Sequence, residues 1–366
     1  MTVFSAQSFA HHDEVTFVHD ARTGLKAIIA IHDTTLGPAL GGCRMWPYES
    51  DGQALDDVLR LSRGMTYKAA MAGLNFGGGK SVVIGDSRAD KSEALLRRFG
   101  RFVDTFQGRY IVAEDVGMSV GDMDIVRQET PYVAGVGGGA GDPSPATAWG
   151  VYHGIRAAVR HRFQRHDLSG VTVAVQGLGH VGGHLCAHLA NDGANLIVAD
   201  IDDEAIASVR EEFGAAVVSC DGIYECDAEV FAPCALGAVL NDQTIPRLQA
   251  RVVAGSANNQ LAEARHGKAL ADIGVLYAPD YVINAGGLIH VSYEVAYRGG
   301  HFDHDVAMAH VARLHDRLLD LFTRAEAEAI PTNTMADRIA WERLEQVRAA
   351  RGRRGEGYGR SMALTP

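Results

Sequence analysis

The segment MTYKAAMAGLNFGGGKS (65–81) carries two lysines twelve positions apart, Lys68 and Lys80, and three consecutive glycines precede the second. Glycine has no Cβ, so Gly77, Gly78 and Gly79 let the backbone pass close to a ligand or to another chain segment. A lysine delivered from such a run can sit in a tight, poorly hydrated cleft, where burial and a second nearby ammonium both disfavour its charged form. Brought down from about 10.4 toward neutrality, it becomes a general base. Solvated charge beside a flexible loop is the alternative for each lysine taken alone.

Two other readings of this loop fail on spacing. A phosphate-cradling loop needs G-x-x-x-x-G-K-[ST]. Gly79-Lys80-Ser81 supplies its end, but Leu74 stands where the first glycine belongs, and Gly73 is one residue early. A dinucleotide fingerprint would need a strand before the glycines. Here the β-branched, apolar run 81–84 follows them, which puts Lys80 at the start of a strand.

A second group of residues suits a coenzyme. VTVAVQ (171–176) reads as a buried strand, GLGHVGG follows at once, then an amphipathic helix with Val181, Leu185 and Leu189, then the strand NLIVAD ending at Asp200. Gly177, Gly179 and Gly182 fit G-x-G-x-x-G, with the acid 23 residues after the first glycine. The glycines permit a tight turn and close approach of a pyrophosphate to the segment Gly177, Leu178, Gly179, His180, Val181 and Gly182, at a helix N-terminus with unpaired N–H donors. Asp200 can accept hydrogen bonds from ribose hydroxyls and would repel a 2′-phosphate. Ile201, Asp202 and Asp203 follow it rather than arginine, so NAD is expected, not NADP. Downstream, VFAPCALG (230–237), VVAGSANNQ (252–260) and LYAPDYVINAGG (276–287) each join a short apolar strand to a polar or glycine-rich end. Such ends form the ligand crevice of a doubly wound sheet. Asn258 and Asn284 can each offer a donor and an acceptor there, to the nicotinamide amide or the substrate; turn-forming asparagines are the alternative.

The elements around these groups alternate. Residues 15–33 read as two strands about the Arg22-Thr23-Gly24 turn, 50–64 and 92–106 as helices from apolar spacings of three and four, and 110–113 as a strand. The first third is therefore an α/β layer structure. The glycine-dense stretch 135–141 and Asp142-Pro143-Ser144-Pro145 mark an interdomain hinge reaching Thr147, where a helix begins and runs to Val159. Two domains follow, residues 1–140 and 141–330, with 331–366 returning to the first; a cleft between them would close about the hinge. Residues 306–322 and 335–347 read as helices, and RGRRGEGYGR (351–360) as disordered.

Composition narrows the partners. At 366 residues a sizeable core is available, and a net charge of −11 argues against nucleic acid or an anionic membrane as partner. No apolar run approaches spanning length, and the N-terminus lacks the basic and apolar regions of a secretory signal. Five cysteines without a C-x-x-C pair suit a reducing cytoplasm. His184 and His188 are spaced as metal ligands can be, but H-E-x-x-H is absent, and His11-His12 lie in what reads as a loose N-terminal arm. No metal is expected.

The chain resembles the amino-acid dehydrogenases that act on glutamate, leucine, phenylalanine and valine, its leucine-acting members above all. The resemblance covers nearly the full length. It rests on TTLGPALGGCRMWPY (34–48), RLSRGMTYKAA (60–70), GGGKSVVIGD (77–86), GRYIVAEDVG (108–117), VAVQGLGHVGGHLC (173–186), FAPCALGA (231–238), AGSANNQL (254–261) and YAPDYVINAGGLI (277–289). It implies an N-terminal α/β substrate-binding and oligomerisation domain, a doubly wound (Rossmann) NAD-binding domain, C-terminal helices packed back on the first domain, and a homo-oligomer. Lys68 would pair with the substrate α-carboxylate, Lys80 would be the catalytic lysine, and Asp115 would relay protons. Gly41, Gly42, Gly77, Gly78 and Met65 would shape the substrate cleft, with Asn258 beside it. Thr147, Ala235, Asn258 and Asn284 would complete the coenzyme site. The side-chain pocket would be lined by Leu40, Ala113, Leu288 and Val291. All four are apolar, so a glutamate carboxylate would be buried there unpartnered, at a cost of several kcal/mol.

The reaction implied is reversible, NAD-dependent oxidative deamination of a branched-chain L-amino acid to the 2-oxo acid and ammonia. The same chemistry on phenylalanine or tryptophan is the alternative, followed by a 2-hydroxy-acid dehydrogenase, whose chemistry favours an imidazole base, and by a non-catalytic NAD-binding protein.

Overall fold

The structure, a computed structural model, describes residues 2–136, 141–296 and 303–361. It separates into two compact units, Met1–Gly141 with Ile339–Pro366, and Asp142–Arg338. The chain thus returns to the first unit at Ile339, later than residue 331. Of the expected hinge, residues 137–140 lie outside the described residues.

The first unit runs β1 (Glu14–Asp20), β2 (Leu25–Asp33), β3 (Ala39–Trp46), α1 (Asp51–Met71), β4 (Gly77–Ile84), α2 (Glu93–Asp104), β5 (Tyr110–Glu114) and α3 (Val120–Arg127). Its sheet has the order β1-β2-β4-β3-β5. β2 is antiparallel to β1 and β4, whereas β3 lies parallel between β4 and β5. Both sheet faces are covered, which is why the strands read as continuous apolar runs. On one face Ala27, Ile29, Ile31, Cys43, Met45 and Val83 meet Leu95, Leu96, Phe99 and Phe102 of α2. On the other, Ile28, Ala30 and Val82 meet Ala54, Leu55, Val58 and Leu59 of α1.

Several expectations change. β3 was not legible as a strand. α1 extends to Met71, well beyond residue 64, and so carries Met65 and Lys68 on its last turns. β4 begins at Gly77, so Lys80 is the fourth of eight strand residues rather than the first. Glycines disfavour strand, but here β3 supplies ladder partners from Gly77 onward and β2 from Gly78 onward. The N-terminal arm is not loose. Val3 and Phe9 pack on the α1 face, and His12 Nε2 lies 3.0 Å from the Leu59 carbonyl and 3.1 Å from Ser62 Oγ.

The second unit runs α4 (Ser144–Phe163), β6 (Thr172–Gln176), α5 (His180–Asn191), β7 (Asn195–Ala199), α6 (Asp203–Phe213), β8 (Ala216–Val217), β9 (Val230–Pro233), β10 (Val252–Val253), α7 (Arg265–Asp272), β11 (Leu276–Tyr277), α8 (Asp280–Ile283), α9 (Gly286–Ala296), α10 (His304–Ala312), α11 (Leu314–Glu328) and α12 (Thr332–Ser361). Its all-parallel sheet has the order β11-β10-β9-β6-β7-β8. Numbered within the unit this is 3-2-1-4-5-6, the doubly wound arrangement, whose order reverses between β6 and β9. The single helix expected over 306–322 is two helices broken at Arg313, because the periodicity persists across a turn that apolar spacing alone does not reveal.

From Ile339 on, α12 belongs to the first unit. Arg343 donates to the carbonyls of Ala70 (2.7 Å), on the last turn of α1, and of Leu74 (2.8 Å) just past it, and Arg348 reaches Asp33 and Thr35. The 351–360 segment, read as disordered, continues the α12 backbone. Propagating an existing helix adds one hydrogen bond per residue fixed, and arginine is a good helix former.

His32, 6% exposed, holds α1 to β2 through Nδ1 and Thr66 Oγ1 at 2.8 Å. Burial, with His12 beside it, lowers its pKa from 6.5 to about 4. The unfolded chain takes up this proton first, so the contribution of His32 is complete above pH 6.5 and is lost as pH falls toward 4. Urea midpoints measured from pH 7.5 to 4.5 are expected to fall less steeply in His32→Asn than in the parent chain; equal slopes would contradict this assignment.

Candidate active site

Strand alternation sorts the lysine site. Val82 faces α1, so Lys80 and Gly78 do as well; Cys43 and Met45 face α2, so Leu40, Gly42 and Arg44 face α1. The pairs Leu40–Gly78 and Cys43–Ser81 bracket Gly42 opposite Lys80, and on its other side Gly42 pairs with Ala113. Lys80 on β4 and Asp115 just past β5 are therefore separated by a whole strand, yet Lys80 Nζ lies 2.8 Å from Asp115 Oδ2. They meet over Gly42. A Cβ there would stand 2.8 Å from the Asp115 Cβ, 3.2 Å from Lys80 Nζ and 2.7 Å from the Glu114 carbonyl oxygen.

Lys80 is 6% exposed, so its charge partner lies within the protein. Asp115 Oδ2 also accepts from Arg44 Nε at 3.1 Å. Burial pushes the Asp115 carboxyl up, but Lys80 and Arg44 outweigh it and hold it below the usual carboxylate range. Arg44 in turn donates to Asp57 Oδ2 on α1 at 2.9 Å. That oxygen also accepts from the Tyr48 hydroxyl at 2.7 Å, and Asp57 Oδ1 accepts from Arg60 at 2.7 Å. Burial and the Asp57 carboxylate push the Tyr48 hydroxyl up, so it remains a donor. From the opposite sheet face, the buried Tyr110 hydroxyl donates to the Gly41 carbonyl at 3.0 Å and lies 3.0 Å from Ser81 Oγ. This fixes the glycine-bearing strand beneath the site.

Gly78 sets the distance between helix and sheet, since a Cβ on it would strike the Thr66 backbone nitrogen and hydroxyl; one on Gly77 would strike the Asp33 carbonyl at the end of β2. The bareness of Gly78 lets α1 settle onto β4, placing Met65 and Lys68, both half-buried, on the helix that covers Lys80's face. Met65 Cγ would lie 3.4 Å from a Cβ on Gly41. Leu40 is 1% exposed and Ala113 half-buried.

In the second unit, Gly177 (φ +99°) turns the chain from β6 into α5. A Cβ on it would strike Ala235, at the end of β9, and one on Gly182 would strike the Gly177 carbonyl. Ala235 and the glycine turn therefore adjoin at the point where the strand order reverses. Gly179 is the α5 N-cap and supplies no capping side chain, so the first-turn N–H groups of α5, at His180, Val181 and Gly182, point outward with the positive dipole end. A Cβ on Gly179 would meet nothing within 4 Å, leaving open space in front of them. Asp200 accepts from the backbone N–H of Leu178, Ile201 (2.6 Å) and Asp202 (3.0 Å), bonds that outweigh burial and hold its carboxyl low. Backbone donors at a bare helix end and a fixed carboxylate past the next strand fit a dinucleotide.

Asn284, 4% exposed, donates to the Ser256 carbonyl (3.0 Å) and to Asn258 Oδ1 (2.7 Å), bringing both asparagines together. Thr147 donates to the Pro143 carbonyl at 2.9 Å near the start of α4. Leu288 and Val291 stand on α9, one turn apart.

Sequence reading missed Arg44, Asp57 and Tyr48. The signal was the position of Arg44 two residues after Gly42, on the same face, but it required β3 to be read as a strand. His188 belongs to an aromatic group, its ring 5.0 Å from Trp149 and 5.7 Å from Tyr152. Among the described residues, Asp242, Glu263 and His266 bring ligand atoms within 4.8 Å, but Arg265 donates to both acids and supplies the positive charge.

Gly42→Ala is expected to cost about 1–3 kcal/mol through overpacking. Gly52→Ala, whose Cβ would meet only Ser50 Oγ at 3.8 Å, is the control. Thermal midpoints compare the two; an unchanged midpoint for Gly42→Ala would show that the site has slack.

Against known proteins, residues 10–132 match the family described as Glu/Leu/Phe/Val dehydrogenase, dimerisation domain. Residues 138–206 and 200–352 match Glutamate/Leucine/Phenylalanine/Valine dehydrogenase. The chain is 54% identical over 354 residues to leucine dehydrogenase of Geobacillus stearothermophilus, covering 96% of this chain and 95% of that protein. It is 52% identical over 354 residues to leucine dehydrogenase of Thermoactinomyces intermedius, covering 96% of each. The crystal structure of L-tryptophan dehydrogenase from Nostoc punctiforme superposes with a TM-score of 0.84 at 47% identity, covering 93% of this chain and 97% of that one.

Proposed function

The chain belongs to the Glu/Leu/Phe/Val dehydrogenase family, and from that premise we propose that it catalyses reversible, NAD-dependent oxidative deamination of a branched-chain L-amino acid, leucine, valine or isoleucine, to the 2-oxo acid and ammonia. The observation that carries this reading is the buried Lys80–Asp115 pair, with Nζ and Oδ2 2.8 Å apart over a bare Gly42. Amine oxidation needs a group that takes protons from the substrate nitrogen and from water, and a lysine with a carboxylate relay provides both. Oxidation of a hydroxyl draws instead on an imidazole, and the carboxylate's partner here is a lysine.

In this mechanism Lys68 holds the substrate α-carboxylate as a point charge. Asp115 accepts a proton from the substrate ammonium, leaving the amine neutral. NAD, held by the Gly177–Gly182 turn, Asp200, Thr147, Ala235, Asn258 and Asn284, supplies the hydride acceptor when bound. Lys80 then deprotonates the water that attacks the substrate iminium carbon, returns that proton to nitrogen, and takes the adduct's hydroxyl proton as the carbon–nitrogen bond breaks and ammonia leaves. Burial of Lys80 keeps bulk water from competing for that proton. Asp200 favours NAD by repelling a 2′-phosphate, and Asp202 and Asp203 add to that field.

The residues that the resemblance assigns to the substrate side chain, Leu40 and Ala113 in the first unit and Leu288 and Val291 in the second, are all apolar. A branched aliphatic group suits them; an aromatic L-amino acid is the second reading, favoured by the 47% identity to L-tryptophan dehydrogenase. The match to a dimerisation domain over 10–132 supports a homo-oligomer built through the first unit, and five free cysteines suit a reducing cytoplasm.

Three outcomes test this. Following reduced nicotinamide by absorbance with leucine, valine, isoleucine, phenylalanine, tryptophan and lactate should give the highest kcat/KM for a branched-chain substrate; a maximum with tryptophan would select the second reading, and one with lactate would end both. Lys80→Ala should lower kcat by about 10²–10⁴-fold while coenzyme binding, read by fluorescence, persists. In Asp200→Ala the preference for NAD over NADP should relax, and an unchanged preference would remove Asp200 from the ribose site.

A further inference from the structure

We propose that Arg44 is a positioning residue for this reaction: it holds Asp115 in place at Lys80 and sets the pH at which the pair becomes competent. The inference rests on the reading of Lys80 as the base. Two features of the geometry lead to it. Arg44 bridges two carboxylates, Nε to Asp115 Oδ2 at 3.1 Å and a terminal nitrogen to Asp57 Oδ2 at 2.9 Å. It also shares with Lys80 the same oxygen of Asp115, so two cations compete for one acceptor.

The shared oxygen gives Arg44 a task that a simple surface ion pair lacks. An opposite charge at hydrogen-bond distance favours an ammonium, and a second cation on the same carboxylate opposes that effect. Arg44 carries a charge that no accessible pH removes. It neutralises part of the Asp115 carboxylate across the shared oxygen, so removing it changes the field at Lys80. Asp57 sets how much of that charge is available, because it draws on the other end of the guanidinium and is itself held by Tyr48 and Arg60. The planar fork matters as well as the charge: one side chain spans from α1 to the end of β5, which a single ammonium cannot do.

The test is the pH dependence of kcat/KM for leucine and NAD with the full chain. Arg44→Gln removes a cation beside the base, so the protonated lysine gains stability and the acid limb should move to higher pH by about one unit. Arg44→Lys restores the charge without the fork; its limb should return toward the parent position while kcat stays below the parent value. Coenzyme binding should be unchanged in both. An unmoved limb in Arg44→Gln, or an equal shift in Arg44→Lys, would overturn the proposal. Should Arg44→Gln not fold, Asp57→Asn decides: it frees the guanidinium's charge toward Asp115 and should move the limb to lower pH, whereas an upward or absent shift overturns it. A parent chain that is inactive with every amino acid would instead sink the functional reading, and this inference with it.

Discussion

The first unit depends on a missing side chain. Strands in a sheet lie about 4.8 Å apart, so groups on β4 and β5 with β3 between them are separated by roughly twice that distance. Lys80 and Asp115 close the gap only because Gly42 places no atom where they meet. The same logic works perpendicular to the sheet, where Gly78 lets α1 approach until the Thr66 backbone occupies space that a Cβ would need. Glycine lowers strand propensity, and this sheet accepts that in its middle strands because both faces are covered by apolar packing on α1 and α2.

Charge burial is the second consequence. A lone ammonium at the position of Lys80 would be costly, and a lone Asp115 equally so. The chain of Lys80, Asp115, Arg44, Asp57 and Arg60 alternates in sign, with each carboxylate receiving more than one donor. Its outer end is half in solvent and its inner end is not, so the field at Lys80 reflects the whole chain. Tyr48 adds a neutral donor at the branch point. The network also joins elements: β3, β4 and the end of β5 each contribute one member and α1 contributes two, so the packing that forms the unit is the packing that forms the site.

How much of this the sequence displayed follows from the range of the forces involved. The glycine turn and its strands were legible because their signal is local: strand, glycine turn, helix, strand and acid lie within about thirty residues, as any βαβ unit must. Gly177 needs a positive φ at the turn and Gly182 lies against the Gly177 carbonyl, so their spacing shows their task. The lysine half is assembled from segments around residues 42, 57, 80 and 115, whose proximity is a property of the sheet order β4-β3-β5. Lys80 drew notice from its glycines and Asp115 from resemblance, whereas Arg44 looked like any half-buried arginine. β3 itself was hidden by Gly41 and Gly42, the residues that make it useful. The break at Arg313 and the docking of the N-terminal arm on α1 were hidden for the opposite reason, since apolar spacing continues through a turn and says nothing about what covers it.

The two units use glycine differently, and the contrast bears on what each can tolerate. Gly177 needs a positive φ, and Gly182 needs room beside its own turn, so both requirements are backbone requirements met inside one short loop. Gly42 has ordinary strand geometry and is required only by what stands on either side of it. A larger residue at 177 strains the chain locally, while one at 42 separates two groups that are distant in sequence and otherwise correctly placed. Binding of a coenzyme can survive small adjustments of a loop whose donors are backbone N–H groups. An ion pair at 2.8 Å cannot, because it depends on that one separation. The more demanding of the two arrangements is therefore built into the middle of a sheet buried on both faces, where neighbouring strands and two helices leave the lysine and the carboxylate little freedom to drift apart.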